Sequence, residues 1–194
     1  MIDIVANELR RPLLDQGWID IVGGLVREQR LRVDEVEKTL PACIDPDDHT
    51  RNLLLVPDSA RSVITYFDCI GNSNRGEVSG GRAFLFASTF RLVAWFNTSR
   101  LSPSGVVPQA AVSMVSALAG YRYTDTAPIS NLRVSPLQEV PKSPAIFARW
   151  TYDEAETQFL MPPFDYFAFD FLVSFTLSAF CPLVNIVKTD SKCC

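Results

Sequence analysis

The sequence predicts an α+β domain: a single, mainly antiparallel sheet built on long Phe-rich strands, with helices packed on one face. Three observations point there. Phe164 to Pro182, FDYFAFDFLVSFTLSAFCP, alternates with a period of two. Phe167, Phe169, Phe171, Val173, Phe175, Leu177, Ala179 and Cys181 make one apolar set, and Tyr166, Ala168, Asp170, Leu172, Ser174, Thr176, Ser178 and Phe180 make a largely polar one. That is the pattern of a half-buried strand. A second long segment places Phe84, Phe86, Phe90, Leu92, Ala94 and Phe96 on one side, with Thr89, Arg91 and Asn97 on the other. Finally, strand patterns outnumber helical ones and few crossover helices separate them, which favours α+β over alternating α/β.

The elements follow in order. Ile2, Val5, Ala6, Leu9 and Leu13 recur at helical spacing, so a helix is expected over 3–11, ended or kinked by Pro12. Val26 to Lys38 mixes both charge signs and reads as an exposed extended segment or hairpin, its charges a solvated face. Leu53 to Val56 is a short apolar run closed by Pro57-Asp58-Ser59. Ser62 to Ile70 is rich in β-branched and aromatic residues and reads as a strand. Asn72 to Arg82, NSNRGEVSGGR, is a loop by composition. The second Phe-rich strand follows, with a bulge expected near Ser88, the one polar residue on its apolar side. After a Ser/Pro/Gly linker over 102–108, Pro108 and Gly120 bracket a helix whose stripe is Val107, Ala111, Met114, Val115 and Leu118. Ile129 to Val140 reads as a strand with Leu132 and Val134 inward. Pro141 to Pro144 breaks it, and Ala145 to Leu160 reads as a short helix. From Phe167 to Phe180 the last strand would span on the order of 45 Å, well beyond the usual strand of about 5–6 residues. Such a strand must bend, or use its far end on another chain.

Composition narrows the class. The 194 residues suit one domain, here 1–187 with a loose tail over 188–194. A chain 47% hydrophobic with 13 Phe builds a core, so disorder is excluded. The net charge of −4, without a basic stripe, argues against sequence-specific nucleic-acid recognition. MIDIVANELRRPLL lacks the pattern of a signal peptide. Asp165 and Asp170 together with the alternation argue against a membrane helix in the Phe-rich segment, so no membrane partner is expected. Five irregularly spaced cysteines (Cys43, Cys69, Cys181, Cys193, Cys194) read as reduced thiols.

The residues that carry chemistry are sparse. His49 is the sole histidine, so a Ser–His–Asp or Cys–His device would have to use it. It follows Asp45-Pro46-Asp47-Asp48, whose oxygens suit a hard cation at no known loop spacing, and an ordinary turn explains them. The glycines of 71–81 match no phosphate loop and lead into a strand. Asp153, Glu154 and Glu156 on one short segment read as a solvated helix face rather than as a catalytic pair. No cofactor or metal is expected, and no catalytic residue. Asp170, among Phe residues, should meet water, an Arg such as Arg91, or a neighbouring subunit.

The opening MIDIVANELR, the helix PQAAVSMVSALAG and the late PPFDYFAFDFLVSFTLSAF stand in an order that resembles the tail terminators and related neck or head–tail connector proteins of tailed bacteriophages. The resemblance is one of element order over most of the chain, without a diagnostic motif. It implies a non-enzymatic structural protein of the virion, assembled in the host cytoplasm as a homo-oligomeric ring, a hexamer or dodecamer, docked on other neck or tail proteins. Contacts are then expected at Asn72, Asn74, Arg75, Glu77, Arg82, Arg91 and Asp170, at the outer ends of both Phe-rich strands, and at the N-terminal helix. The alternatives are a non-viral protein-interaction module on the same scaffold, and an enzyme using the Asp45–His49 cluster.

Overall fold

The computed structural model describes residues 1–33, 35–45, 48, 50–71, 74–78, 83–101, 106–123, 129–151 and 161–178. The chain begins with helix α1, Ile2–Leu14, whose buried face is Val5, Ala6, Leu9 and Leu13. Pro12 does not end it. Placed in the last turn, proline forfeits only the bond to the Glu8 carbonyl, and the helix runs on to Leu14. Strand β1, Ile21–Leu25, is followed by the hairpin β2, Arg27–Val33, and β3, Val36–Ile44, and then by the short β4, Asn52–Leu54. Strand β5, Val63–Cys69, leads to β6, Asn74–Val78, and on to β7, Ala83–Asn97. Helix α2, Val106–Gly120, starts within the expected linker. Strand β8, Ile129–Glu139, precedes a 3₁₀ turn at Pro144–Phe147, and β9, Phe164–Ser178, is the Phe-rich strand.

The architecture is α+β, but the strands form two sheets rather than one. The larger runs β1-β5-β7-β9-β8, with β6 also on β7. It is antiparallel except for the parallel pair β1–β5. The smaller is β2-β3-β4, wholly antiparallel. The segment read as an exposed hairpin thus acquires a third strand and a buried side. Leu40, Ala42 and Cys43 turn inward while the β2 charges stay at the surface. Glu35, at φ 67°, makes the left-handed corner between β2 and β3.

Both helices pack on one face of the large sheet, as the sequence predicts. Val5, Leu9, Leu13, Met114 and Leu118 meet Phe67, Phe90, Leu92, Phe96, Phe171, Val173 and Phe175 in one core. The opposite face is not bare. A second core of Val26, Cys43, Leu55, Ile64, Tyr66, Val93, Trp95, Phe147, Trp150 and Tyr166 covers its half nearest Trp95. The molecule is therefore three layers deep at one end of the sheet.

The β7–β9 ladder is the spine. All fifteen residues of β7 pair with β9 in one unbroken register, from Ala83 opposite Ser178 to Asn97 opposite Phe164. No bulge occurs at Ser88, which is 1% exposed on the helix face. The irregularity lies on the other side of β7. Cys69 stands opposite Phe90 and Asn74 opposite Ala87, so five steps of chain match three on β7. There a Cβ added to Gly71 would come within 3.0 Å of Thr89 Cβ, a close approach that favours glycine.

Two further expectations need correction. Residues 74–78, read as loop, form β6, because β7 runs past the end of β5 and offers its edge to the returning chain. Of the helix expected over 145–160, only the 3₁₀ turn Pro144–Phe147 is seen, capped by Ser143, whose side chain accepts from the Ala145 N–H at 3.2 Å. Residues 152–160, with Asp153, Glu154 and Glu156, lie outside the described residues, as do residues 179–194, where the loose tail over 188–194 is expected.

Candidate interaction surface

The face of the large sheet opposite the helices changes character along its length. Residues that pair across strands share a face, so the register defines successive rows. Ile64, Trp95 and Tyr166 form one row and Tyr66, Val93 and Ala168 the next. All six are buried beneath the small sheet and the Phe147–Trp150 segment. The following row is charged: Asp68, Arg91, Asp170 and Gln138 lie side by side on β5, β7, β9 and β8. Beyond it come Thr89, Leu172 and Ser135, then Ala87, Ser174 and Arg133, then Leu85, Thr176 and Ser130.

The charged row closes the packed half. Arg91 donates from Nε to Asp170 Oδ1 at 2.8 Å and from Nη2 to Asp170 Oδ2 at 3.1 Å, a bidentate pair with Asp170 only 4% exposed. This hydrogen bonding raises the Arg91 pKa further. Of the partners considered for Asp170, the structure shows Arg91. Asp68 takes a second arginine, Arg149 Nη2, at 3.2 Å, and Arg149 lies over the Trp150 ring at 4.1 Å from its centroid. Burial pushes the Asp68 carboxyl above its ordinary value, and both arginines pull against that rise.

The sign of the shift yields a prediction. A folded-state carboxyl that holds its proton more tightly than the unfolded one contributes stability that is full below the unfolded value and is lost as pH rises through the folded value. Asp68→Asn is therefore expected to flatten the fall in stability as pH rises above the ordinary carboxylate range, and to change stability by less than about 1 kcal/mol at neutrality, since Arg149 is well exposed. Urea midpoints at several pH values would decide it; an equal pH slope in both proteins rules Asp68 out as its source.

Past the charged row the face is open. Leu85 is 45% and Leu172 38% exposed, set among Ala, Ser and Thr. Leu85 is uncovered partly because its partner on β6 is Gly76, which has no side chain. The helix face of the same rows stays closed, with Phe175 fully buried and stacked on Phe86 at 5.5 Å. Among the described residues, about half of the fifteen-residue ladder is thus packed on both faces, and the other half on one.

The remaining candidates fall in several places. Asn74, Arg75 and Glu77 stand on β6, opposite Ala87, Phe86 and Phe84, whereas Asn72, Arg82 and His49 lie outside the described residues. Near His49, the Asp45 and Asp48 carboxylates serve the turn itself. Arg51 reaches Asp48 at 2.7 Å and Asp45 at 3.5 Å, and Asp48 also accepts from the Thr50 N–H at 3.1 Å. Among the described residues no group of three His, Cys, Asp or Glu is placed to hold a metal ion, and no helix is long and apolar enough to cross a membrane. Cys43 and Cys69 are free thiols, and burial raises the pKa of both. On the helix face an apolar groove of about 330 Å³ runs between α2 and the start of β9, lined by Val107, Ala111, Val115, Phe167 and Phe169.

Asp68 and Arg149 were not foreseen as parts of the charged row. Asp68 carried a signal, since it keeps the parity of Ile64 and Tyr66 and so must share their face; Arg149 carried none. Comparison with protein-family models, with curated proteins and with solved structures gives no match.

Proposed function

We propose that this chain is a structural assembly protein that works as a homo-oligomeric ring, as a neck or tail-terminator component of a tailed phage or phage-like particle. One observation carries the assembly part: β7 and β9 pair over fifteen residues while, among the described residues, only half of that length is covered on the second face. A strand pair much longer than its own core needs is stable in isolation only where its other face tolerates water. Here that face carries two exposed leucines among small and hydroxyl residues, without charge on β7 and β9. Such a surface suits a neighbouring copy that covers the leucines and offers hydrogen-bond partners to the hydroxyls.

The virion part rests on the resemblance in element order. The order of helix, hairpin sheet, second helix and long closing strand supports it. A ring needs two different surfaces that meet by rotation. The open face is one of them. The particle's other neck or tail proteins would dock along the ring axis.

The purified protein should form closed rings in negative-stain micrographs, with a mass by light scattering that is a whole multiple of the monomer. A strictly monomeric protein at high concentration would remove the proposal. Leu85→Asp combined with Leu172→Asp should abolish the rings while leaving the circular dichroism spectrum and the unfolding midpoint close to wild type, because both side chains are exposed in the monomer. Rings that survive this double change would put the lateral contact elsewhere.

A further inference from the structure

We infer that the seam between α1 and the end of α2 binds a monovalent metal cation, held by the Glu8 carboxylate, the Tyr123 phenolic oxygen and the last carbonyls of α2. The inference is independent of the assembly reading, since every group in the site belongs to one copy of the chain.

Glu8 is the first observation. It lies on the side of α1 that buries Val5, Leu9 and Pro12, and is itself only 6% exposed. Its Oε1 pairs with Arg11 Nη2 at 3.0 Å, and Arg11 leads out to water. Its Oε2 is buried and meets no hydrogen-bond partner among the described residues. A carboxylate oxygen taken out of water and left unpaired is destabilising, so a buried one calls for a donor or an ion.

The described groups across the seam bring acceptors rather than donors. Ser113 Oγ donates to Gln16 Oε1 at 2.9 Å, which joins the end of α1 to the middle of α2. About two turns back along α1, Glu8 falls level with the last turn of α2 and with Tyr123. That last turn carries no basic residue. A helix end presents carbonyl oxygens and a partial negative charge. Tyr123 has one proton to donate, and it goes to the Leu118 carbonyl at 3.2 Å. Burial first, then Tyr121 and the Glu8 charge, raise the Tyr123 pKa above its ordinary value, so the proton stays on. The phenolic oxygen therefore has only lone pairs left to offer. Two acceptors that no hydrogen bond can join are joined by a cation.

The donor atoms and the charge select the ion. Carboxylate, phenol and carbonyl oxygens are hard ligands, which excludes the soft thiophilic metals. The negative charge to be balanced is small. It is one carboxylate, already shared with Arg11, and about half a unit at the helix end. A single positive charge balances it, whereas a divalent ion favours several carboxylates, and no such group occurs among the described residues. The bound ion would tie α1 to α2 on the helix face of the large sheet.

The test is urea unfolding of the full chain, at one protein concentration, in sodium, potassium or choline chloride of equal strength. A site half filled at about 50 mM raises the ratio of folded to unfolded protein roughly tenfold in about 0.5 M salt. The unfolding midpoint should therefore be higher in sodium or potassium than in choline, which is too large for the seam. Glu8→Gln should remove that difference, because its amide supplies a donor and no charge. Tyr123→Phe should reduce the difference several-fold, and carries the test alone if Glu8→Gln does not fold. Equal midpoints in all three salts would mean that water alone fills the seam and overturn the inference. A metal-ion advantage that persists in Glu8→Gln, or that is unchanged in Tyr123→Phe, overturns it as well. Neither residue is on the open face, so the ring proposal stands or falls separately.

Discussion

Trp95→Ala should be the most damaging single change in the molecule, costing about 4 kcal/mol and loosening the layer that covers half of the large sheet. Trp95 is 2% exposed at the centre of the second core. Its ring stacks on Phe147 with centroids 4.6 Å apart and meets Tyr166 at 5.5 Å. Through Phe147 it holds the 144–150 segment to the sheet, and that segment is tied in turn to the small sheet by Thr151 N–H donating to the Thr39 carbonyl at 2.7 Å. Truncation to alanine removes the ring that these parts share. Trp95→Phe should be much milder, within about 2 kcal/mol of wild type. It keeps the stacked ring, and it removes an indole N–H that meets no acceptor among the described residues. An unsatisfied buried donor carries a cost of about 1–3 kcal/mol, which offsets part of the lost area. Urea unfolding of the three proteins measures both numbers. A phenylalanine variant as unstable as the alanine one would mean that the indole shape, not the stacked ring, holds the layer.

What was readable in the sequence divides along physical lines. The two faces of β9 follow from parity alone, because side chains alternate whatever the strand pairs with. The helix-facing set Phe167 to Leu177 and the far set Tyr166 to Ser178 therefore stand in the structure as read. Parity also grouped Thr89 with Arg91 and placed Asp170 among the far-face residues. It did not show that β7 and β9 are adjacent with Arg91 opposite Asp170, since register is a property of two strands. β6 was missed for a related reason. Asn, Gly and charged residues have little intrinsic strand preference, and 74–78 is extended because the edge of β7 extends past β5. The small sheet was half legible: the hairpin of charges was read, but its burial depends on Cys43, Leu40 and Leu55, whose neighbours come from distant segments. The proposed interaction surface corresponds to what was read as excess strand length. Its assignment to the far face needed the Trp95 core, which shows which half is already covered.

Asp170→Ala should destabilise the protein by about 3 kcal/mol, because it leaves the Arg91 guanidinium, with a side chain only 22% exposed, without its bidentate partner. Asp68 stands on the other side of Arg91 in the same row and softens the loss, but it is engaged by Arg149. The cost is that of a stranded charge, not the worth of the pair. Replacing both members by apolar residues of similar length, Arg91→Met with Asp170→Leu, should therefore recover most of the stability, to within about 1 kcal/mol of wild type. Wild type, Arg91→Met, Asp170→Leu and the double variant form a double-mutant cycle measured by urea unfolding, with Asp170→Ala measured beside it. If Asp170→Ala lies within about 0.5 kcal/mol of wild type, the pair has no structural role of this kind. The apolar double variant also separates two roles for these residues in assembly. Arg91 and Asp170 were expected among the contacts with a neighbouring copy, but their carboxylate and guanidinium are turned to each other. Their row lies directly beside Thr89 and Leu172, the first row of the open face. If they act by holding that border flat, the refolded double variant should still assemble. If instead they meet the neighbour directly, assembly should be lost in a protein as stable as wild type.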